Sequence, residues 1–188
     1  MKLIYRLFAA ALALISLAGA TSAQQPVKPA AQSMDESCPL HKQHTQGQKH
    51  DDHLAGVNQR GDQAMGFAQQ KTTHHFRLNV SGGAIEVSAN DPADTVSRDQ
   101  IRQHLQEIAQ KFAQGDFSLP HFIHAQTPPG VPVMQRLKAE IKYEYVETER
   151  GARVRISTRD AQATKAVHEF LRFQIKDHQT GDSGEVKK

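Results

Sequence analysis

The sequence predicts an α+β fold in which two β-hairpins, each followed by an amphipathic helix, form one antiparallel sheet of about four strands. Apolar and polar residues alternate in two pairs of short runs, and each pair precedes an apolar stripe at helical spacing. The turn and stop residues match between residues 72–116 and 141–182, so we interpret the two blocks as a degenerate internal repeat. Because each hairpin has one apolar face that needs cover, both helices are expected on one face of the sheet.

The first hairpin is predicted from alternation on both sides of two consecutive glycines. Its apolar positions are Phe76, Leu78, Val80, Ile85, Val87 and Ala89. A two-residue turn at Gly82-Gly83 would place Val80 beside Ile85. The hairpin is therefore expected to have one apolar face, one polar face and its turn at the glycines.

The first helix is predicted over residues 97–114. Ser97 and Gln100 fit a capping box at its start, and Gly115 stands where a left-handed C-terminal cap belongs. Its apolar stripe is Ile101, Leu105, Ile108 and Phe112. These signals together complete the first hairpin-and-helix block.

The second block is predicted from weaker versions of the same signals. Its turn falls at residues 149–151, and its helix covers residues 161–179. Gly181 ends this helix, and His178 would interact favourably with the helix C-terminus. A short helix before the second hairpin is indicated by Met134 and Leu137.

Residues 1–23 have the order of a secretory signal peptide. Lys2 and Arg6 precede an apolar run over residues 7–17, small residues follow at 18–23, and we predict cleavage after Ala23. The alternative is an uncleaved N-terminal anchor. Removing the two positive charges takes the formal charge from +3 to +1, so neither nucleic acid nor a membrane is an expected partner. The sequence thus predicts a periplasmic or secreted protein.

Residues 24–66 are predicted to be a disordered tail in front of a folded domain over residues 67–188. The tail is rich in polar residues and has almost no apolar periodicity, so it cannot bury enough surface to offset its chain entropy. Cys38 is the single cysteine of the chain, which excludes an intramolecular disulfide.

The tail carries a group of candidate metal ligands. They are Cys38, His41, His44, His50 and His53. A thiolate and imidazole nitrogens in one short span suit a zinc or copper ion. The segment Cys38-Pro39-Leu40-His41 resembles the C-P-M-H motif of heavy-metal-binding domains in bacterial copper-handling systems, with Leu40 in place of Met. This resemblance implies soft-metal binding, and the alternative is a polar linker whose histidines are incidental.

Histidines of the folded domain are expected in mainly structural roles. Strand alternation sends His74 and His75 to opposite faces, with His74 at a satisfied edge position, and helical spacing places His104 on the apolar side of its helix. His121 and His124 form the pair best suited to face a cleft.

Catalytic signatures are missing from the sequence. It contains no G-x-S-x-G, P-loop, G-x-G-x-x-G or H-E-x-x-H motif, and Arg172 stands where the last motif, begun by His168-Glu169, needs its second histidine. The sequence therefore predicts no catalytic or cofactor-binding residue and favours a protein that is not an enzyme.

A family resemblance covers nearly all of the folded domain. The matching segments are residues 71–76, 90–92, 115–117, 127–131 and 168–174, and they are similar to a family of small bacterial proteins, some of which carry the name aspartate carbamoyltransferase. Residues 157–160 resemble the S-T-R-T phosphate-binding turn of carbamoyltransferases, but Asp160 is acidic where carbamoyl phosphate would bind. The resemblance implies a fold and no site roles.

Three functional hypotheses follow from these observations. The first is a secreted transition-metal-binding protein whose partner is a copper or zinc ion. The second is an interaction module that binds a protein partner or forms a homodimer through sheet edges, with the histidine-containing tail incidental. The third and most remote is a carbamoyltransferase-like or other small-molecule enzyme with a cleft near His121, His124 and residues 157–160.

Overall fold

The computed structural model describes residues 39–188, with side chains described from Asp52 onward. The α-helices are α1 (Pro39–Met65), α2 (Thr95–Ala113), α3 (Ser118–His124), α4 (Val131–Arg136) and α5 (Ala161–Asp177). The strands are β1 (Thr72–Asn79), β2 (Gly82–Ala89), β3 (Ile141–Thr148), β4 (Gly151–Thr158) and β5 (Val186–Lys187). Short 3₁₀ turns at Gln69–Lys71 and Lys138–Glu140 precede β1 and β3. The predicted α+β class is confirmed.

The strands form one five-stranded mixed sheet in the order β3-β4-β2-β1-β5. Neighbours β1 and β2, β2 and β4, and β3 and β4 are antiparallel, whereas β5 runs parallel to β1. The sequence predicted an antiparallel sheet of about four strands, so the prediction missed the parallel edge strand β5. Two residues are too few to show a period-two pattern, so the sequence carries no signal for β5.

The turn of the first hairpin lies at Val80-Ser81, two residues earlier than predicted. Phe76 pairs with Ile85, so the predicted pairing of Val80 with Ile85 is wrong, and Val80 is 66% exposed in the turn. Gly83 is needed inside the sheet instead, because a Cβ there would collide with the Arg77 carbonyl and with Leu171 of α5. Glycine here permits close packing of a helix on the sheet.

Helices α2 and α5 pack on the same face of the sheet. Leu171 of α5 lies over Gly83, and Ile101 of α2 lies over Gly151. The rings of Phe112 in α2 and Phe170 in α5 meet edge to face at 5.9 Å, which closes the core between the two helices. One continuous apolar core thus lies between the sheet and its helices.

Both long helices begin at an aspartate. Asp94 accepts a hydrogen bond from Ser97 N at 2.9 Å, so α2 starts at Thr95 and the predicted capping box at Ser97 is three residues late. Asp160 caps α5 in the same way by accepting from Ala163 N at 2.8 Å. An aspartate at the N-cap satisfies an otherwise unpaired N–H group and complements the helix dipole.

Residues 39–65, which belong to the segment predicted as a disordered tail, form α1. Val57 and Met65 are buried against the domain, and Arg60 Nε donates to the Ile123 carbonyl at 2.8 Å. Tertiary packing overrides the weak helical pattern of this polar segment. The rest of the predicted tail and the predicted signal peptide lie outside the described residues. Within residues 39–188, no helix is long and apolar enough to cross a membrane.

Candidate functional site

Four of the five predicted metal ligands belong to α1, and Cys38 lies outside the described residues. His41, His44 and His50 occupy helical positions, but only His53 has a described side chain. At about 100° per residue, His41 and His44 share one side of the helix, and His50 and His53 share another. Since the two pairs start nine residues and about 13.5 Å apart, a continuous helix provides two histidine pairs rather than one group of four.

His53 is tied to the folded domain through a carboxylate. Its Nε2 donates to Asp177 Oδ1 at 2.8 Å, and its side chain remains 41% exposed. The other oxygen of Asp177 accepts from His124 Nδ1. Burial alone would raise the pKa of Asp177, but the hydrogen bonds from both histidines lower it below its usual value. An ionised Asp177 therefore bridges a surface imidazole and a buried one.

His124 continues this chain of contacts into the interior. Its Nε2 lies 3.0 Å from the side-chain oxygen of Gln174, and burial lowers its pKa in spite of Asp177. A neutral His124 that donates from Nδ1 must accept at Nε2, which requires the Gln174 amide to present its NH₂ group there. In either orientation one amide atom of Gln174, which is 4% exposed, is left without a protein partner.

Four imidazoles line one cavity of about 60 Å³ between the helices and β1. They are His74, His104, His124 and His178. The rings of His74 and His178 stack at 5.8 Å with an angle of 2°, and His124 meets His178 edge to face at 5.0 Å. The Nε2 atom of His74 is shielded from solvent and has no protein hydrogen-bond partner. This interior surface combines aromatic rings with unsatisfied polar atoms.

Burial keeps these imidazoles neutral. It lowers the pKa of His74 and of His104 to about 4, and that of His178 to about 3. Neighbouring imidazoles lower the pKa of His74 and His178 further, because two protonated rings would repel each other. Charge cannot accumulate in this cavity at neutral pH.

The structure separates His121 from His124, which the sequence suggested as a cleft-facing pair. His121 is exposed and lies 3.2 Å from Thr127 Oγ1, whereas His124 is buried. His74 is not the predicted satisfied edge residue but part of the cavity wall, and His178 packs against Phe76 instead of serving only the helix end. Sequence patterns did not reveal this cluster, because its members come from four distant segments.

The cavity does not resemble a metal centre. Among the side chains that the structure describes, no three histidine, cysteine, aspartate or glutamate residues are placed to hold one ion. The parallel rings of His74 and His178 direct their nitrogen lone pairs side by side rather than towards a common point. The outward-facing imidazole of His53 is more accessible to an ion than the cavity.

The turn at residues 157–160, part of the cleft suggested in the third hypothesis, has a structural role. The carboxylate of Asp160 caps α5 and so occupies the helix N-terminus, where a bound phosphate would otherwise lie. Thr158 Oγ1 accepts from the Asp160 N–H at 3.1 Å, which tightens the same turn. The turn therefore offers no anion site of its own.

Comparisons of the chain with protein-family models, with curated protein sequences and with solved structures found no significant match.

Proposed function

We propose that the protein binds a transition metal ion, zinc or copper, through the histidines of α1 in the periplasm or outside the cell. The observation that carries this proposal is the bond from His53 Nε2 to Asp177. A histidine that ligates a metal commonly donates its second ring N–H to a carboxylate, which fixes the tautomer and the ring orientation. With Nε2 protonated, the Nδ1 atom of His53 carries the lone pair that a metal requires.

The fold supports this use of His53 with a rigid second layer. Asp177 ends α5, and its second oxygen is held by the buried His124, which in turn contacts Gln174. Arg60 and Val57 anchor α1 to the domain one to two turns beyond His53. The imidazole is thus held on two packed elements, which favours a defined metal geometry over an incidental one.

The remaining ligands would come from the N-terminal part of α1. His50 precedes His53 by one turn on the same side of the helix, and this spacing suits two imidazoles on one ion. His41 and His44 form a second pair at the same spacing, with Cys38 three residues before His41 in the sequence. A thiolate with imidazoles suits zinc or copper more than a hard cation.

Asp177→Asn is expected to weaken zinc binding by about 10- to 100-fold, because the neutral amide no longer strengthens His53 as a ligand. His53→Ala should weaken binding at least as much. Isothermal titration of the mature protein with zinc, and competition against a copper(I) chelator, measure both effects. Circular dichroism of each variant checks that α1 and the domain remain folded.

His121→Ala is the matched control, since this exposed histidine lies beside Thr127 Oγ1 and makes no hydrogen bond to Asp177. It should leave the zinc affinity unchanged. A second test compares His50→Ala with a Cys38→Ser, His41→Ala double variant, which separates the two pairs. The proposal fails if the wild type, His53→Ala and the double variant bind zinc and copper(I) equally well.

A second candidate function is self-association or partner binding at the edge of the sheet. Strand β3 has eight residues and pairs with β4 on one side only, so its other edge is open among the described elements. Such an edge can accept another strand, although charged residues such as Lys142 and Glu144 oppose it. Sedimentation equilibrium would test this candidate, and a monomer at about 100 μM would contradict homodimer formation at this edge.

We also infer that the two hairpin-and-helix halves are copies of one structural unit. In both halves a hairpin of two eight-residue strands with a two-residue turn leads to a helix capped by aspartate, at Asp94 and Asp160. Glycines with positive φ follow both helices, Gly115 at 79° and Gly181 at 73°. A circular permutant that begins near residue 126, with the original C-terminus linked to the original N-terminus, would place the second half before the first. If the halves are copies of one unit, this permutant should fold. Its failure to fold would count against the inference.

A further inference from the structure

The face of the sheet opposite α2 and α5 is polar and carries an excess of positive charge. Its cationic side chains are Arg77, Lys142, Arg153, Arg155 and Lys187, and its acidic side chains are Glu86 and Glu144. This face contains a hollow of about 410 Å³ whose charged lining consists of Arg77, Arg153, Arg155 and Lys187 together with Glu144. Hollows of this size are typical of small-ligand sites. The metal proposal does not involve this face.

The strand register places two arginines on either side of one small residue. Arg77 of β1 pairs with Ala84 of β2, and Ala84 pairs with Arg155 of β4. Neighbouring strands are about 4.8 Å apart, so the two arginine Cα atoms are separated by about 10 Å across the alanine. Two guanidinium groups can therefore converge over Ala84 from opposite sides.

Neither Arg77 nor Arg155 is held in an ion pair by a described residue, even though Glu144 stands opposite Arg155 in the register of β3 and β4. Arg153 is neutralised by Glu86, since its Nε donates to Glu86 Oε2 at 2.7 Å. Arg77 and Arg155 are exposed, and neither forms an ion pair with any residue that the structure describes. Like charges that line one hollow repel each other and so oppose folding, but they raise the local concentration of anions.

We propose that this hollow binds a small phosphorylated molecule, with Arg77 and Arg155 donating to phosphoryl oxygens. The guanidinium fork matches phosphate geometry with two parallel N–H donors, and a tetrahedral phosphoryl group can accept from cations on several strands at once. Lys187 at the end of β5 adds a third positive charge at the rim, and Ser157 adds a hydroxyl donor. The short side chain of Ala84 lies between the two arginines in the strand register and forms part of the lining of the hollow.

Titration calorimetry with pyrophosphate at low ionic strength tests the proposal on the full mature chain. Arg77→Ala and Arg155→Ala should each weaken binding by about tenfold or more, because each removes one charge-assisted fork. Arg77→Lys should recover only part of the affinity, since lysine keeps the charge but not the paired donors. Both positions are exposed on strands, so thermal unfolding of the variants should match the wild type.

Arg136→Ala is the matched control, because it removes the same charge from an exposed position on α4, which packs against α5 on the covered side of the sheet. Pyrophosphate affinity should not change in this variant. The absence of binding up to about 10 mM pyrophosphate would overturn the proposal. A second contrary result would be an equal loss of pyrophosphate affinity in Arg136→Ala and Arg155→Ala. A third would be tighter binding of a dicarboxylate such as glutarate than of pyrophosphate. The second result would mean that only the overall charge attracts anions.

Discussion

Acidification from pH 6 to pH 5 is expected to lower the free energy of unfolding by about 3.5 kcal/mol, because three histidines that line the cavity are neutral in the folded protein. They are His74, His104 and His178, whose pKa values burial lowers to about 4, 4 and 3. In the unfolded chain their pKa lies near 6.5. Each contributes a slope of up to about 1.4 kcal/mol per pH unit over this window.

The sign of this dependence follows from proton binding. Between about pH 6.5 and 4 the unfolded chain binds more protons at these histidines than the folded chain does, so stability falls as the pH falls. Their contribution is complete only above about pH 7.5, where these histidines are neutral in the unfolded chain as well. Asp177 and Asp182 have folded pKa values lowered by hydrogen bonds in spite of burial, and they add a further loss only at lower pH, where carboxylates of the unfolded chain become protonated.

The charged neighbours of these imidazoles do not reverse the effect. His178 faces Asp177, which favours its protonation, but His74 and His124 oppose it. Glu107 favours protonation of His104, but burial outweighs this effect and the positive charge of Lys111 also opposes protonation. The net result for each imidazole is a lowered pKa, since removal from water disfavours the charged form most strongly.

Urea denaturation at pH 7, 6 and 5 measures the dependence, with His104→Leu as the diagnostic variant. Leucine cannot titrate and fills a similar apolar space, so the slope between pH 6 and 5 should fall by about one third. His121→Ala should keep the wild-type slope, because His121 is exposed. An identical slope in the wild type and His104→Leu would contradict the assignment of the effect to the cavity.

Phe112→Ala is expected to be the most damaging single substitution in the core, with a loss of about 3–5 kcal/mol. Phe112 is 2% exposed and stacks on Phe117 at a ring distance of 4.3 Å. Its ring also meets Phe170 of α5 and Tyr143 of β3 edge to face. Removing the ring leaves a cavity where α2, α5 and the sheet meet, and the surrounding backbone cannot close around it fully.

Thermal and urea unfolding of Phe112→Ala at pH 7 measure this loss. Val96→Ala in the same helix is the control, because Val96 is 67% exposed and its truncation should change stability by less than about 0.5 kcal/mol. Phe112→Leu should recover a large part of the stability, since it refills most of the volume. A loss in Phe112→Ala no larger than that in Val96→Ala would show that the two helices do not share this core.

Patterns local in the sequence predicted the elements that depend on local geometry. Alternation at Phe76 and Leu78 predicted β1, and the four-residue spacing of Ile101 and Leu105 predicted α2, because these periods reflect which face of one element is buried. The boundaries were less accurate. The cap of α2 is Asp94 and not Ser97, since both are good capping residues and only the path of the chain decides between them.

The metal site remains a prediction that the structure has refined rather than tested. The candidate ligands in residues 38–53 were predicted from residue type and spacing. The same segment was predicted to be disordered because it is polar. Helix α1 instead places residues 39–53 in a fixed order along one axis. His53 gains its support from Asp177, a residue 124 positions away, and no local pattern could associate the two.

The sequence by itself determined the α+β class, the two hairpins, the two long helices and the separation of His74 and His75 to opposite faces. Only the tertiary structure decided the parallel strand β5, the course of α1, the cavity with its neutral imidazoles and the arginines that face each other across Ala84. The reason is physical: local periodicity reports burial of one element at a time, whereas these features arise when side chains from distant segments meet.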